Sequence, residues 1–134
     1  MAGDPRIICI SAPDMPRPGG HYSHTAVFGD LVFVSGQLPV QQAGVHDAKA
    51  DFSVQAERAI ANLEAALKAA GSSPQSILKL TAYVTNIADW PRFDALYARL
   101  MGDHRPARCV VPVPELHYGY AIEIEAVALL SEPK

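Results

Sequence analysis

The apolar positions of this chain change period several times, and each change marks an element. Ile7–Ile10 is a short apolar run closed by Ser11-Ala-Pro13 and predicts a first strand. Met15-Pro-Arg-Pro-Gly-Gly20 breaks both kinds of regular backbone and leads, as a loop, into His21-Tyr-Ser-His24. Residues 25–28 and 31–35, joined by Gly29-Asp30, predict a hairpin with a tight turn. Gly36-Gln-Leu-Pro39 ends its second arm, and Gly36 marks a place where another group comes close to the backbone.

After a polar, irregular stretch over 41–50, the period becomes helical. Ala56, Ile60, Leu63, Leu67 and Ala70 form one stripe, with Ser53 as the expected N-cap and Gly71-Ser-Ser-Pro74 as the stop. Residues 77–85 alternate as a strand, with Leu78, Leu80, Ala82 and Val84 opposite Lys79, Thr81 and Tyr83. Asp89-Trp-Pro91 starts a second helix with Asp89 as its cap; Phe93, Leu96, Tyr97 and Leu100 are its stripe, and Gly102 ends it.

Two β-rich runs then flank a short loop between Pro106 and Leu129, and both carry charge. Arg108 stands near the start of the first. In the second, Glu123, Glu125, Val127 and Leu129 share one face, and Ile122, Ile124, Ala126 and Ala128 share the other. The two carboxylates lie roughly 6.6 Å apart along the strand. The order of elements predicts an α+β sandwich with two helices on one face of a largely β sheet. The uncovered face keeps apolar residues, which predicts a homo-oligomer.

Composition narrows the function classes. The 134 residues read as one domain over 1–134, 49% apolar and 19% charged, as in an ordinary globular protein. No window is long and apolar enough for a membrane span, and the N-terminus lacks a signal peptide's pattern, so cytoplasmic residence is expected. Free thiols are then expected at Cys9 and Cys109. A net charge of −3 without a Lys/Arg cluster gives no footprint for nucleic acid.

The candidate chemistry stays open at this level. Arg108 offers a bidentate fork to a carboxylate, or else pairs structurally with Glu123 or Glu125. A carboxylate on an apolar face has its pKa raised and can act as a base, or else forms a solvent-facing pair. His21 and His24, with His104 and His117, lack the spacing of a zinc site and read as exposed loop histidines. Cys109 alternates away from Arg108 and is expected in the core rather than as a nucleophile. Tyr22, Tyr118 and Tyr120 fall in loops, where large rings either line a pocket or pack the loop.

These residues resemble the YjgF/RidA family of reactive intermediate deaminases. The likeness is carried by His21-Tyr-Ser, Val32-Phe-Val-Ser-Gly-Gln-Leu-Pro39, Ala70-Gly-Ser-Ser73, Pro106-Ala-Arg108 and Ile122-Glu-Ile-Glu-Ala-Val127, in order over about 18–130. The resemblance implies a chorismate-mutase-like mixed sheet with two helices on one face, a homotrimer, and sites in clefts between subunits. It implies hydrolysis of enamines and imines such as 2-aminoacrylate to 2-keto acids and ammonia, with neither metal nor organic cofactor. Arg108 would bind the substrate carboxylate and Glu123 would position the attacking water. Tyr22, Ser35, Gly36 and Asp94 would contact the substrate, and Glu125 would serve structure.

The chain departs from the family where Cys109 directly follows the arginine, where Asp94 replaces a frequent asparagine, and in the loop Leu116-His-Tyr-Gly119. With Tyr118, Tyr120 and His117 there, a substrate bulkier than 2-aminoacrylate is expected. The alternative is a trimeric protein that binds carboxylate ligands without turnover. Ribonuclease activity, the third reading, conflicts with the acidic balance.

Overall fold

A computed structural model of the chain describes residues 1–132. Six strands form one sheet: β1 (Ile7–Ile10), β2 (Thr25–Phe28), β3 (Leu31–Gln37), β4 (Ile77–Val84), β5 (Ala107–Pro112) and β6 (Ile122–Leu129). Their order is β1-β2-β3-β6-β4-β5. Every pairing is antiparallel except β4 with β5, which are joined by a helical crossover and run parallel. Helices α1 (Phe52–Ala69) and α2 (Trp90–Met101) complete the α+β architecture.

Each element follows from its residues. Gly29 has φ +58° at the first position of the two-residue turn between β2 and β3, as a II′ hairpin turn requires. In α1, Ala56, Ala59, Leu63, Ala66 and Leu67 have no exposed surface. The small alanines let this helix lie close on β3 and β6. In α2, Phe93, Tyr97 and Met101 are the buried stripe. From the sheet, Val32, Val34, Leu80, Ala82, Ile122 and Ile124 meet them in one core. On the opposite face Leu31, Phe33, Leu78 and Leu129 are exposed, so no element among the described residues covers that face.

Three local expectations are corrected. The N-cap of α1 is Asp51, whose carboxylate accepts from the Ser53 N–H at 3.1 Å; Ser53 already lies inside the helix. Asp89 does occupy the N-cap of α2, but its side chain pairs with Arg92 and caps no backbone N–H. Leu78 is exposed and Ile77 is buried, because β4 gains one residue on β6 between Ile77 and Lys79. The bulge turns Leu78 outward and restores the expected alternation from Leu80 onward.

Gln55 is a buried polar residue whose bonds are all made. Its Nε2 donates to the carbonyls of Ala48 and Ala50 at 3.1 and 3.0 Å, and its Oε1 accepts from the Ala121 N–H at 2.8 Å. One side chain therefore ties the irregular 41–50 stretch to the start of β6. Gln55→Ala leaves these three backbone groups unpaired and is expected to cost about 1–3 kcal/mol in denaturant unfolding. A loss within error would show that water replaces the amide.

Candidate functional site

The expected site residues fall into two half-sites on opposite faces of the sheet. Arg108 pairs in register with Leu80, which pairs with Ala126, so all three face the helices. Glu123 pairs with Tyr83, which pairs with Val111, and these face away from the helices. Two strand spacings and three residues of rise separate Arg108 from Glu123, about 14 Å in the sheet plane. Within one chain they point apart.

The first half-site is built where β5 meets α2. Arg108 Nη1 donates to Asp94 Oδ1 at 2.7 Å. The guanidinium carbon stands 5.2 Å from the Tyr97 ring centre and 5.9 Å from that of Phe93. These two rings stack on each other at 5.6 Å. A carboxylate on one side and aromatic faces on the other fix the fork, and its remaining N–H groups are available for an anion. A cavity of about 520 Å³ opens here, lined by Asp94, Tyr97, Met101, His104, Arg105 and Arg108. Burial pushes the Tyr97 phenol above its ordinary pKa, with the Arg108 charge acting the other way. Its hydroxyl is buried and meets no hydrogen-bond partner among the described residues.

Cys109, expected in the core, is exposed on the open face. Cys109 and Arg108 do alternate in face, but it is Arg108 that faces the helices. The aromatic and acidic side of α2 draws the arginine inward, and the thiol is left outside.

The second half-site is built around a bulge. Between Val34 and Gln37, β3 spends three residues against the two from Ala126 to Ile124 on β6, which leaves Ser35-Gly36 out of register. Ser35 is held by its hydroxyl, which donates to the Ser23 carbonyl at 2.7 Å, and by its N–H, which donates to the His24 carbonyl at 2.9 Å. A Cβ on Gly36 would come within 2.8 Å of Glu123 Oε2 and 3.0 Å of its Cδ. The close approach inferred from this glycine is therefore the packing of the Glu123 carboxylate on the bulged backbone.

The cavity in front of Glu123 holds about 430 Å³, lined by Tyr22, Ser35, Gly36, His117, Tyr118 and Glu123. Burial raises the Glu123 pKa above the ordinary carboxylate value; the charge of His117 opposes this, and that of Glu125 adds to it. Glu125, expected as a structural partner, accepts a 2.5 Å hydrogen bond from Tyr83 rather than from Arg108.

Tyr22 and Tyr118 are more than half exposed at the cavity edge. Tyr120 is different. It is 1% exposed, lines neither cavity, and its hydroxyl meets His46 Nδ1 at 2.8 Å. The expectation that it touches a substrate is corrected: Tyr120 lies behind the wall. His46, which no periodicity marked, stacks on Tyr118 with ring centres 3.8 Å apart at 18°. Tyr118 has φ +62°. That left-handed conformation costs a tyrosine on the order of 1–2 kcal/mol and persists only where its surroundings hold it.

His24 also departs from expectation. It is buried; its Nδ1 accepts from the Ala12 N–H at 2.9 Å, and Nε2–H donates to the Pro16 carbonyl at 3.1 Å. The ring thus fixes the loop that carries Gly19 and Tyr22. No group of three or more His, Cys, Asp or Glu among the described residues is placed to hold a metal ion.

The chain is similar to known proteins along nearly its whole length. Residues 12–130 match the family model described as Endoribonuclease L-PSP. A RutC family protein from Sinorhizobium fredii is 37% identical over 91% of this chain and 97% of its own length. A putative reactive intermediate deaminase, TdcF, from Escherichia coli is 34% identical over 91% of this chain and 96% of its own. Among solved structures, E. coli TdcF with bound serine superposes with a TM-score of 0.85 at 32% identity, covering 92% of this chain and 99% of that one. A putative endoribonuclease from Thermotoga maritima gives 0.87 at 34% identity, covering 93% and 98%.

Gly36→Ala tests the packing of Glu123. The new methyl group must displace the carboxylate, the free end of a flexible side chain beside an open cavity, so the cost in stability is expected to be small. It should also lower the Glu123 pKa toward the ordinary value, as the carboxylate moves toward water. An NMR titration of the Glu123 side chain reads this directly; an unchanged pKa would contradict the packing.

Proposed function

Because the chain belongs to the endoribonuclease L-PSP family, known also as YjgF/RidA, we propose that it is a hydrolytic deaminase of reactive enamines and 2-imino acids of the 2-aminoacrylate type. One observation carries the reading. A guanidinium steadied by Asp94 and a half-buried carboxylate of raised pKa each line an open cavity, on opposite faces of one sheet. A small 2-imino acid reaches both only when two copies of the chain share a cleft. The proposed homotrimer covers the apolar open face and assembles three such clefts.

The chemistry asks little more. The enamine tautomerises to the imine, and Arg108 of one copy holds its carboxylate and orients the C=N bond. Glu123 of the next copy takes a proton from water as its oxygen adds to the imine carbon. The carbinolamine then collapses: the C–N bond breaks, the nitrogen leaves as ammonia with the proton returned, and the 2-keto acid remains. Water is consumed and ammonia released, with no net transfer of electrons. Tyr22 and the Ser35-Gly36 bulge form the floor and rim against which the substrate lies.

That TdcF has been solved with bound serine supports a small amino-acid-like ligand, and equally supports a protein that binds without turnover. The raised pKa of Glu123 favours turnover, since a binding site for an anion gains nothing from a buried acid. The family description as an endoribonuclease gains no support from a net charge of −3.

Imino acids generated in situ by an amino-acid oxidase give the assay, read as 2-keto acid release. Arg108→Ala should reduce kcat/KM by on the order of 10²–10⁴ and Glu123→Gln by about 10². A wild-type protein that binds a carboxylate ligand but accelerates nothing would overturn the deaminase reading. The pH profile adds an independent check. The base must be ionised, so a raised Glu123 pKa places the acid limb of kcat/KM above the ordinary carboxylate range. His117→Ala removes an opposing positive charge and should move that limb higher still; a limb that moved down, or stayed, would remove Glu123 from the role.

A further inference from the structure

The cleft before Glu123 adjoins a second cavity. Gly19, Tyr22, Gly36, Leu38 and Tyr118 line both. The second cavity holds about 150 Å³, the volume in which an apolar cavity takes up benzene. Met15, Pro16, Pro18 and Val40 give it apolar walls.

Its polar lining groups are largely engaged within the chain. Asn62 Nδ2 donates to the carbonyls of Leu38 and Val40 at 2.8 and 2.9 Å. Gln37 donates to the Ser35 carbonyl, His24 bridges Ala12 and Pro16, and His46 meets the Tyr120 hydroxyl. A ligand group entering here finds aromatic and aliphatic surface beside the amides of Asn62 and Gln37, whose N–H groups are already engaged. Only Arg17, exposed at the rim, offers a charge.

Tyr118 lines both cleft and cavity, and its left-handed backbone is the one non-glycine positive φ among the described residues. Its ring is pinned by the His46 stack, His46 is pinned by buried Tyr120, and its hydroxyl lies 3.4 Å from where a Gly19 Cβ would stand. A strained tyrosine held on two sides at the boundary of a cleft is what a selectivity wall needs.

We propose that this second cavity receives the side chain of the imino acid, and that Tyr118, positioned by His46, selects large apolar and aromatic side chains over a methyl group. The inference rests on the deaminase reading for its substrate and on the cavity alone for its preference. Arg108 and Glu123 act at the carboxylate and imine carbon common to all 2-imino acids; the second cavity acts on what differs between them.

The test compares imines made in situ from phenylalanine, leucine, alanine and glutamate, together with binding of phenylpyruvate and pyruvate. Wild type should prefer the phenylalanine- and leucine-derived imines over the alanine-derived one by roughly tenfold or more in kcat/KM. Tyr118→Ala and His46→Ala should each bring that ratio toward one, and Val40→Trp, which fills the cavity, should invert it. Melting curves and assembly state of each variant separate a lost wall from a lost fold, and His46→Phe, which keeps the stack, should keep most of the preference. Equal wild-type rates on phenylalanine- and alanine-derived imines would overturn the inference while leaving the deaminase reading intact. A preference for the glutamate-derived imine would overturn it in favour of Arg17. Turnover of none, with phenylpyruvate bound more tightly than pyruvate, would leave the cavity's role standing and remove the deaminase reading; no turnover and no binding preference would remove both.

Discussion

A residue in a β-strand shows its side chain to one face only, and three strands locked in register cannot be persuaded otherwise. Arg108 and Glu123 are placed by the ladders of β5 and β6 on the shared strand β4, and those ladders assign them to opposite faces. Turning either side chain through the sheet would require a register slip that moves the whole core set of that strand into water. The separation is therefore a fixed property of the fold. Under the proposed function, it leaves each chain with two halves of a site and ties chemistry to assembly.

The two half-sites solve different electrostatic problems. For the proposed reaction Arg108 must remain charged and aimed, and the chain supplies Asp94 on one side and the faces of Phe93 and Tyr97 on the other. For the proposed reaction a base of raised pKa is needed, and for Glu123 the chain supplies burial against a bulged backbone that has no side chain at Gly36. Desolvating a carboxylate costs stability, and Tyr118 adds backbone strain a few residues away. Both costs gather around one cleft while α1, Gln55 and the central strands hold the scaffold, the distribution expected when strain serves a site.

Much of this was legible before any coordinates. Alternation put Ile122, Ile124, Ala126 and Ala128 on one face and Glu123 and Glu125 on the other, and the structure buries the first of these faces. The helical stripes, the hairpin and the significance of Gly36 followed from period and turn chemistry. What escaped were features set by tertiary partners. Alternation says that Arg108 and Cys109 differ in face but not which faces the helices; Asp94 and two rings on α2 decide that. The bulge at Leu78 leaves no mark in a run of apolar residues. His24 reads as an exposed loop histidine until the carbonyl of Pro16 and the N–H of Ala12 close around it. Tyr120 and Tyr118 look alike in sequence, and only His46, from a stretch without periodicity, shows that one is buried support and the other a wall.

The account stands most directly on the claim that one chain's Arg108 works with another's Glu123. Arg108→Ala and Glu123→Ala proteins, each inactive alone, can be unfolded together and refolded as a one-to-one mixture. If clefts form between copies, roughly a quarter of them pair an intact Arg108 with an intact Glu123, and about that fraction of wild-type imine hydrolysis should return. A mixture that assembles fully and stays as inactive as its components would show that both residues act within one chain, contrary to the structure described here.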